Sequence, residues 1–277
     1  MVENREVKSD VFSMLMDDKK NAMEVYTALN GSDYSDPELI EMVTLEKGIS
    51  LTIRNDAAFI LDANINIYEH QSTYNPNMPL RAFLYLASTL KLMLKNKDLF
   101  GAKLTIPTPH FAVFYNGTKN RPDKEVMLLS DLFSHKECSP ELELKCTVYN
   151  INSGTDNGIL NKCRVLNEYT QFVEKVRYFE LLNDESPIAT AIDWCIENRI
   201  LEEFLRCRGQ EVIKVMTLDM TFEHRMEIRC QEAIEAGKAE ERTNCIRNLL
   251  ISGMSPEKIE EICSYSMHDI MEVKSKM

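Results

Sequence analysis

Several kinds of chemistry are missing from this 277-residue chain. Its eight cysteines (Cys138, Cys146, Cys163, Cys195, Cys207, Cys230, Cys245 and Cys263) form no CxxC pair, and no Cys/His grouping has zinc-finger spacing. The pattern predicts free thiols in a reducing, cytoplasmic setting, filling small apolar positions. The segment MVENREVKSD lacks the apolar core of a signal peptide. No apolar run approaches the roughly 20 residues that span a bilayer, so no membrane contact is expected. Internal repeats and low-complexity stretches are absent. Gly237-Lys238 lacks the upstream glycine and following Ser/Thr of a phosphate loop, and nothing else marks an organic cofactor. His110, His135, His224 and His268 have no partner at metal spacing.

What is present is a soluble-type composition with 44% hydrophobic residues, enough for a sizeable core, and a net charge of −12. An acidic sum argues against simple electrostatic binding to nucleic acid. The charge is unevenly placed, however. Residues 75–125 carry eight Lys/Arg against three Asp/Glu, directly after residues 1–74, which carry six against fourteen. A basic segment following a carboxylate-rich one suits acids that bind a metal bridging to phosphate; it equally suits a solvated helix face.

The apolar spacing of Phe12, Leu15, Met16, Met23, Tyr26 and Leu29 predicts one amphipathic helix over 10–29, ended by Asn30-Gly31. Residues 38–71 read as a β-meander, with strand candidates at 39–44, 49–53, 57–61 and 65–71. The turn Asp62-Ala63-Asn64 lets the last two pair as an antiparallel hairpin. Pro79 suits the first turn of a buried helix over 80–94. Strand character returns at 104–115 and 142–151. From Lys162 onward the pattern is helical: one helix over 188–206 broken by Gly209, further helix to 252, then a restart at Gly253-Met254-Ser255-Pro256. Ser255 and Ser266 are candidate caps, giving a tail of two short helices. This tail has the outline of a helix-turn-helix but few Arg/Lys to meet phosphate.

In the hairpin, Asp56 opens one strand and Glu69 ends the next, so both lie at the same end of the sheet. Strand alternation puts Glu69 and Gln71 on one face and His70 on the other. Two carboxylates held together can bind a hard divalent cation. Such spacing alone also describes ordinary polar strand ends. Arg81 and Tyr85, four residues apart, share a helix face. They can grip phosphate, or serve as a salt bridge and a core residue.

The runs Asn55-Asp56-Ala57-Ala58-Phe59-Ile60, Tyr68-Glu69-His70-Gln71-Ser72-Thr73 and Asn75-Pro76-Asn77-Met78-Pro79-Leu80-Arg81, with Tyr85, resemble the Rpn family. These are recombination-promoting, transposase-like nucleases of the PD-(D/E)XK superfamily. Phe111 to Gly117, Tyr149-Asn150-Ile151-Asn152 and Glu168-Tyr169 extend the resemblance over roughly residues 10–235. It implies an α/β (α+β) fold with a restriction-endonuclease-like core, a mixed sheet flanked by helices and a helical C-terminal region. The implied domains are a catalytic core over residues 1–160, a helical extension over 161–237 and a helical hairpin tail over 238–277. It implies a Mg²⁺-dependent DNA endonuclease, with Mn²⁺ or Ca²⁺ as in vitro substitutes, DNA as partner and a homodimer as an option. Asp56 and Glu69 take the positions of the metal-binding acids. Gln71, the third catalytic candidate, stands where the motif commonly has lysine; it orients the attacking water by hydrogen bonding, or another cation contributes, Arg81 or the more distant Lys91. The third acid is Glu46 or, second, Glu24. The alternative is an inactive, mobile-element-derived module that only binds DNA or protein.

Overall fold

The computed structural model describes residues 11–43, 56–156, 158–263 and 265–275. The chain forms two compact units, Met1–Thr217 and Leu218–Met277.

The first unit opens with two helices, α1 (Val11–Met16) and α2 (Lys19–Asn30), where the periodicity predicts one. Asp18 causes the break: its carboxylate accepts the Lys20 N–H at 2.8 Å and caps α2. Gly31 ends α2 at φ 65°, as Asn30-Gly31 suggests. A 3₁₀ turn (Pro37–Leu39) leads to β1, which is only Glu41–Met42; the 49–53 candidate lies outside the described residues. β2 (Ala57–Leu61) and β3 (Asn64–Gln71) form the expected antiparallel hairpin, with Leu61 opposite Asn64 and Ala57 opposite Tyr68. The turn residues Asp62 and Ala63 both have positive φ, 49° and 56°. A two-residue turn of that kind matches the twist of a hairpin and locks its register.

The loop after β3 leads into α3 (Met78–Met93), with Pro79 in its first turn. α3 buries one face, through Met78, Ala82 and Tyr85, while Leu80 and Leu84 are exposed, where the sequence suggested a buried helix. α3 crosses over to β4 (Thr108–Tyr115), parallel to β3. β6 (Lys145–Asn150) adds in parallel to β4, and β5 (Lys124–Leu128), absent from the sequence reading, closes the edge. Among the described residues the result is a six-stranded mixed sheet in the order β1-β2-β3-β4-β6-β5.

Helices α4 (Ile159–Lys162), α5 (Arg164–Leu181), α6 (Pro187–Glu197) and the start of α7 (Glu202–Ile251) follow. Phe172 and Val176 of α5, Ile192 of α6 and Leu205 of α7 bury themselves in the same core as Phe12 and Phe114. This core covers one face of the sheet; α3 covers the other. The strand region and α4–α6 therefore lie in one unit, although the resemblance implies a boundary after residue 160. Gly209 does not break α7; the break comes earlier, at Asn198 to Leu201. A Cβ on Gly209 would meet Ile192 at 3.6 Å, an ordinary contact.

In the second unit, the end of α7 joins α8 (Pro256–Cys263) and α9 (Met267–Ser275) around Ile246, Ile259, Ile270 and Val273. Gly253 turns the chain at φ 86°, and the Ser266 hydroxyl accepts the Asp269 N–H at 3.1 Å, as the tail's caps predict. Among the described residues no helix is long and apolar enough to cross a membrane. Cys146, Cys163 and Cys195 are buried as expected, whereas Cys138 and Cys207 are exposed.

Candidate functional site

The tight turn at 62–63 decides where the carboxylates fall. The ladder ends with Ala57 opposite Tyr68, and Asp56 precedes it at the end of the hairpin where Glu69 lies. Ala58, Ile67 and Glu69 belong to the α3 face of the sheet, and alternation puts Asp56 on that face too. The Asp56 carboxylate accepts the His70 backbone N–H at 2.6 Å, and the Ser13 hydroxyl donates to the Asp56 carbonyl at 2.7 Å. The two acids thus sit side by side at one end of the sheet.

Glu69 is buried to 3% exposure. A charge so placed needs strong partners. Its Oε1 receives the Arg81 guanidinium in an ion pair and the Tyr85 hydroxyl at 3.2 Å. Arg81 in turn donates to the Tyr85 oxygen from Nε at 3.0 Å and from Nη2 at 2.6 Å. One helical turn of α3 therefore presents a cation and a phenol to one carboxylate. Partial burial pulls the Arg81 pKa down, but the Glu69 carboxylate, Tyr85 and Asp56 together outweigh this and the net shift is upward. Burial and then the Glu69 charge push the Tyr85 phenol up, so it stays protonated and donates. The Asp56 charge acts on both groups in the same direction, which places it within electrostatic reach of them.

Gln71 has both ends of its amide engaged. Its Oε1 accepts the Asn75 N–H at 3.2 Å and its Nε2 donates to the Met78 sulfur at 3.0 Å. It thereby pins the loop that starts α3, and so sets where Arg81 lands. Arg81 is the cation set beside Glu69. Lys91 lies ten residues further along α3, about 15 Å away along the axis. His70 points to the opposite face, as alternation predicts: its ring stacks on Phe12 at 5.6 Å and its Nε2 lies 3.1 Å from the Tyr169 hydroxyl.

No family model, curated protein or solved structure matches the chain.

Glu24 does not join the cluster. Its Oε1 accepts the Val165 N–H at 2.9 Å at the start of α5, and its Oε2 lies 3.7 Å from Arg164. Glu46 lies outside the described residues. Among the described residues no group of three or more His, Cys, Asp or Glu is placed to hold a metal ion. Two carboxylates are nonetheless enough protein ligands for Mg²⁺, which keeps several waters and takes further oxygens from substrate phosphates. The donor chemistry of Asp56 and Glu69 fits such an ion.

The sequence reading missed the loop at the strand ends. Arg121 lies over the Tyr74 ring at 3.7 Å and pairs with Glu125. The Arg177 guanidinium donates to the Asn116 carbonyl. The dense Lys/Arg of residues 119–124 was the available signal.

Proposed function

We propose that the chain is a metal-dependent DNA endonuclease of the Rpn type, with a PD-(D/E)XK site formed by Asp56 and Glu69, serving DNA recombination. The observation that carries this reading is that Asp56 and Glu69 lie at one end of the β2–β3 hairpin, with Arg81 joined to Glu69. A divalent ion held there supplies Lewis-acid activation of a phosphodiester and of water. Asp56 and Glu69 would hold it; Glu46 is the remaining candidate for a third acid. Tyr85 keeps the Glu69 carboxylate oriented by donating to it. Arg81 is partly exposed, so its remaining N–H groups can meet a phosphate oxygen while one stays on Glu69. Gln71 positions this arginine through the loop it pins. The basic residues between 75 and 125 supply contacts to the DNA backbone.

The test is nicking of supercoiled plasmid with Mg²⁺. The Asp56→Ala/Glu69→Ala double variant is expected to fall to background while retaining its circular dichroism spectrum. Undiminished nicking in that variant overturns the assignment. The Arg81–Glu69 ion pair also favours a second reading, in which the arginine takes the place of a metal and the fold only binds DNA or protein. Calorimetry separates the two: Mg²⁺ or Mn²⁺ binding that disappears in the double variant supports the nuclease, and no binding supports the module.

A further inference from the structure

At the end of the sheet away from Glu69, the strands part. β4 follows β3 along its whole length, but β6 pairs with β4 only from Ala112 onward. Pro109 falls in the stretch that β6 does not reach. The Thr108 N–H donates to the Ala63 carbonyl at 2.9 Å, so alternation turns the Pro109 nitrogen to the open side, where a missing N–H breaks no ladder. A cavity of about 480 Å³ occupies this notch.

Its wall holds Asn66, Tyr68 and Tyr149 from the sheet, with Phe83 and Phe111 toward α3. Asn66 and Tyr68 are each only 1% exposed, yet among the described residues the Asn66 Nδ2 and the Tyr68 hydroxyl make no hydrogen bond. A buried polar group left in that state costs about 1–3 kcal/mol. Two of them, on the same face of one strand and about 7 Å apart along it, line one cavity. Asn66 offers an N–H₂ donor. Burial holds the Tyr68 phenol well above its ordinary pKa, so it is an O–H donor as well. The charged lining residues are Glu143 and Lys145, of opposite sign, and Glu143 is already engaged by the Ser130 hydroxyl at 2.6 Å. The cavity therefore combines buried donors, aromatic walls and no excess of charge.

We propose that this notch binds a neutral, flat heterocycle bearing carbonyl or ring-nitrogen acceptors, with the size and chemistry of a nucleoside. The base brings the acceptors that Asn66 and Tyr68 lack. Its faces find the Tyr149, Phe83 and Phe111 rings, as stacked bases do on aromatic side chains. The volume lies in the range of small-molecule sites. An inorganic anion would meet one lysine offset by a glutamate. The site is independent of the carboxylate cluster, because Asn66 and Tyr68 point away from it.

The experiment is thermal unfolding of the full chain with uridine, cytidine, adenosine or guanosine, and with inorganic phosphate as a separate arm, backed by calorimetric titration. At least one nucleoside is expected to raise Tm saturably, and phosphate is not. Tyr68→Phe and Asn66→Leu each remove an unsatisfied atom from a buried place, so both should fold, and each should weaken that nucleoside at least about tenfold. The proposal is overturned if no nucleoside shifts Tm, if phosphate does so as strongly, or if both variants bind as the parent does.

Discussion

On its α3 face, β3 buries Glu69 and Gln71; on the opposite face it buries Asn66 and Tyr68. The first pair is met by partners from the adjoining loop and helix: Arg81 and Tyr85 on Glu69, Asn75 and Met78 on Gln71. The second pair leaves an amide nitrogen and a hydroxyl without a hydrogen bond in an aromatic setting. The same strand thus shows two ways of placing polarity inside a protein. One is a charge cluster, with Arg81 and Tyr85 set on one carboxylate oxygen from α3. The other is an open donor set that costs stability until something fills it. Substitutions on the two faces should therefore differ in kind as well as in size.

The largest difference should be in activity. Asp56→Asn or Glu69→Gln should lower Mg²⁺-dependent plasmid nicking by about 10²-fold or more, through loss of ligand charge. His70→Phe, on the other face, keeps the backbone N–H that Asp56 accepts and the contact with Phe12, and should leave nicking unchanged. Equal losses from both faces would mean that the site at the hairpin end is not where cleavage occurs.

Stability should separate the faces next. Arg81→Met leaves the buried Glu69 carboxylate without its cation and should cost about 2 kcal/mol, a moderate figure because the arginine is partly exposed. Adding Glu69→Gln should recover part of that loss, and urea denaturation of the single and double variants reads the coupling. On the opposite face the sign reverses. Tyr68→Phe removes a hydroxyl that has no partner and, without ligand, should raise stability by about 1 kcal/mol. A loss there would mean that the hydroxyl is satisfied in solution.

The two faces were not equally legible in the sequence. Alternation along Ile65, Ile67, Glu69 and Gln71, with a turn signal at 62–64, was enough to put Asp56 beside Glu69 and to send His70 away. The four-residue spacing of Arg81 and Tyr85 showed that they share a helix face. Their meeting with Glu69 depends on the loop that Gln71 pins, which spacing does not encode. Glu24 was a candidate ligand because it is an acid on an early helix; its use at the start of α5 is a contact 141 positions away in the chain. β5 escaped because it is a five-residue edge strand with Val126 exposed, so its alternation is weak. Gly209 reads as a breaker by propensity, but the packing of α7 against α6 outweighs the roughly 1 kcal/mol cost of glycine in a helix. The Asn66–Tyr68 notch was invisible, because it arises from where β6 stops pairing with β4.

Both faces depend on one register, and the smallest prediction concerns what sets it. Ala63 sits at φ 56°, a left-handed conformation that a Cβ disfavours, in a two-residue turn whose partner Asp62 is at φ 49°. Glycine adopts that conformation without the clash, although it loses more entropy on folding. Ala63→Gly should therefore stabilise the chain by only about 0.5–1 kcal/mol. If the turn merely follows a register already imposed by Phe59, Ile65 and Ile67 in their two cores, the gain should appear in urea denaturation while nicking stays the same. If the strained turn holds the strands slightly out of their preferred alignment, relaxing it should also change nicking, because Asp56 reaches Glu69 only through that ladder. A one-residue slip would exchange the faces altogether, sending Glu69 toward Phe12 and Tyr68 toward α3. The apolar residues buried on both sides of β2 and β3 oppose such a slip, so the expected result is a gain in stability with no change in activity.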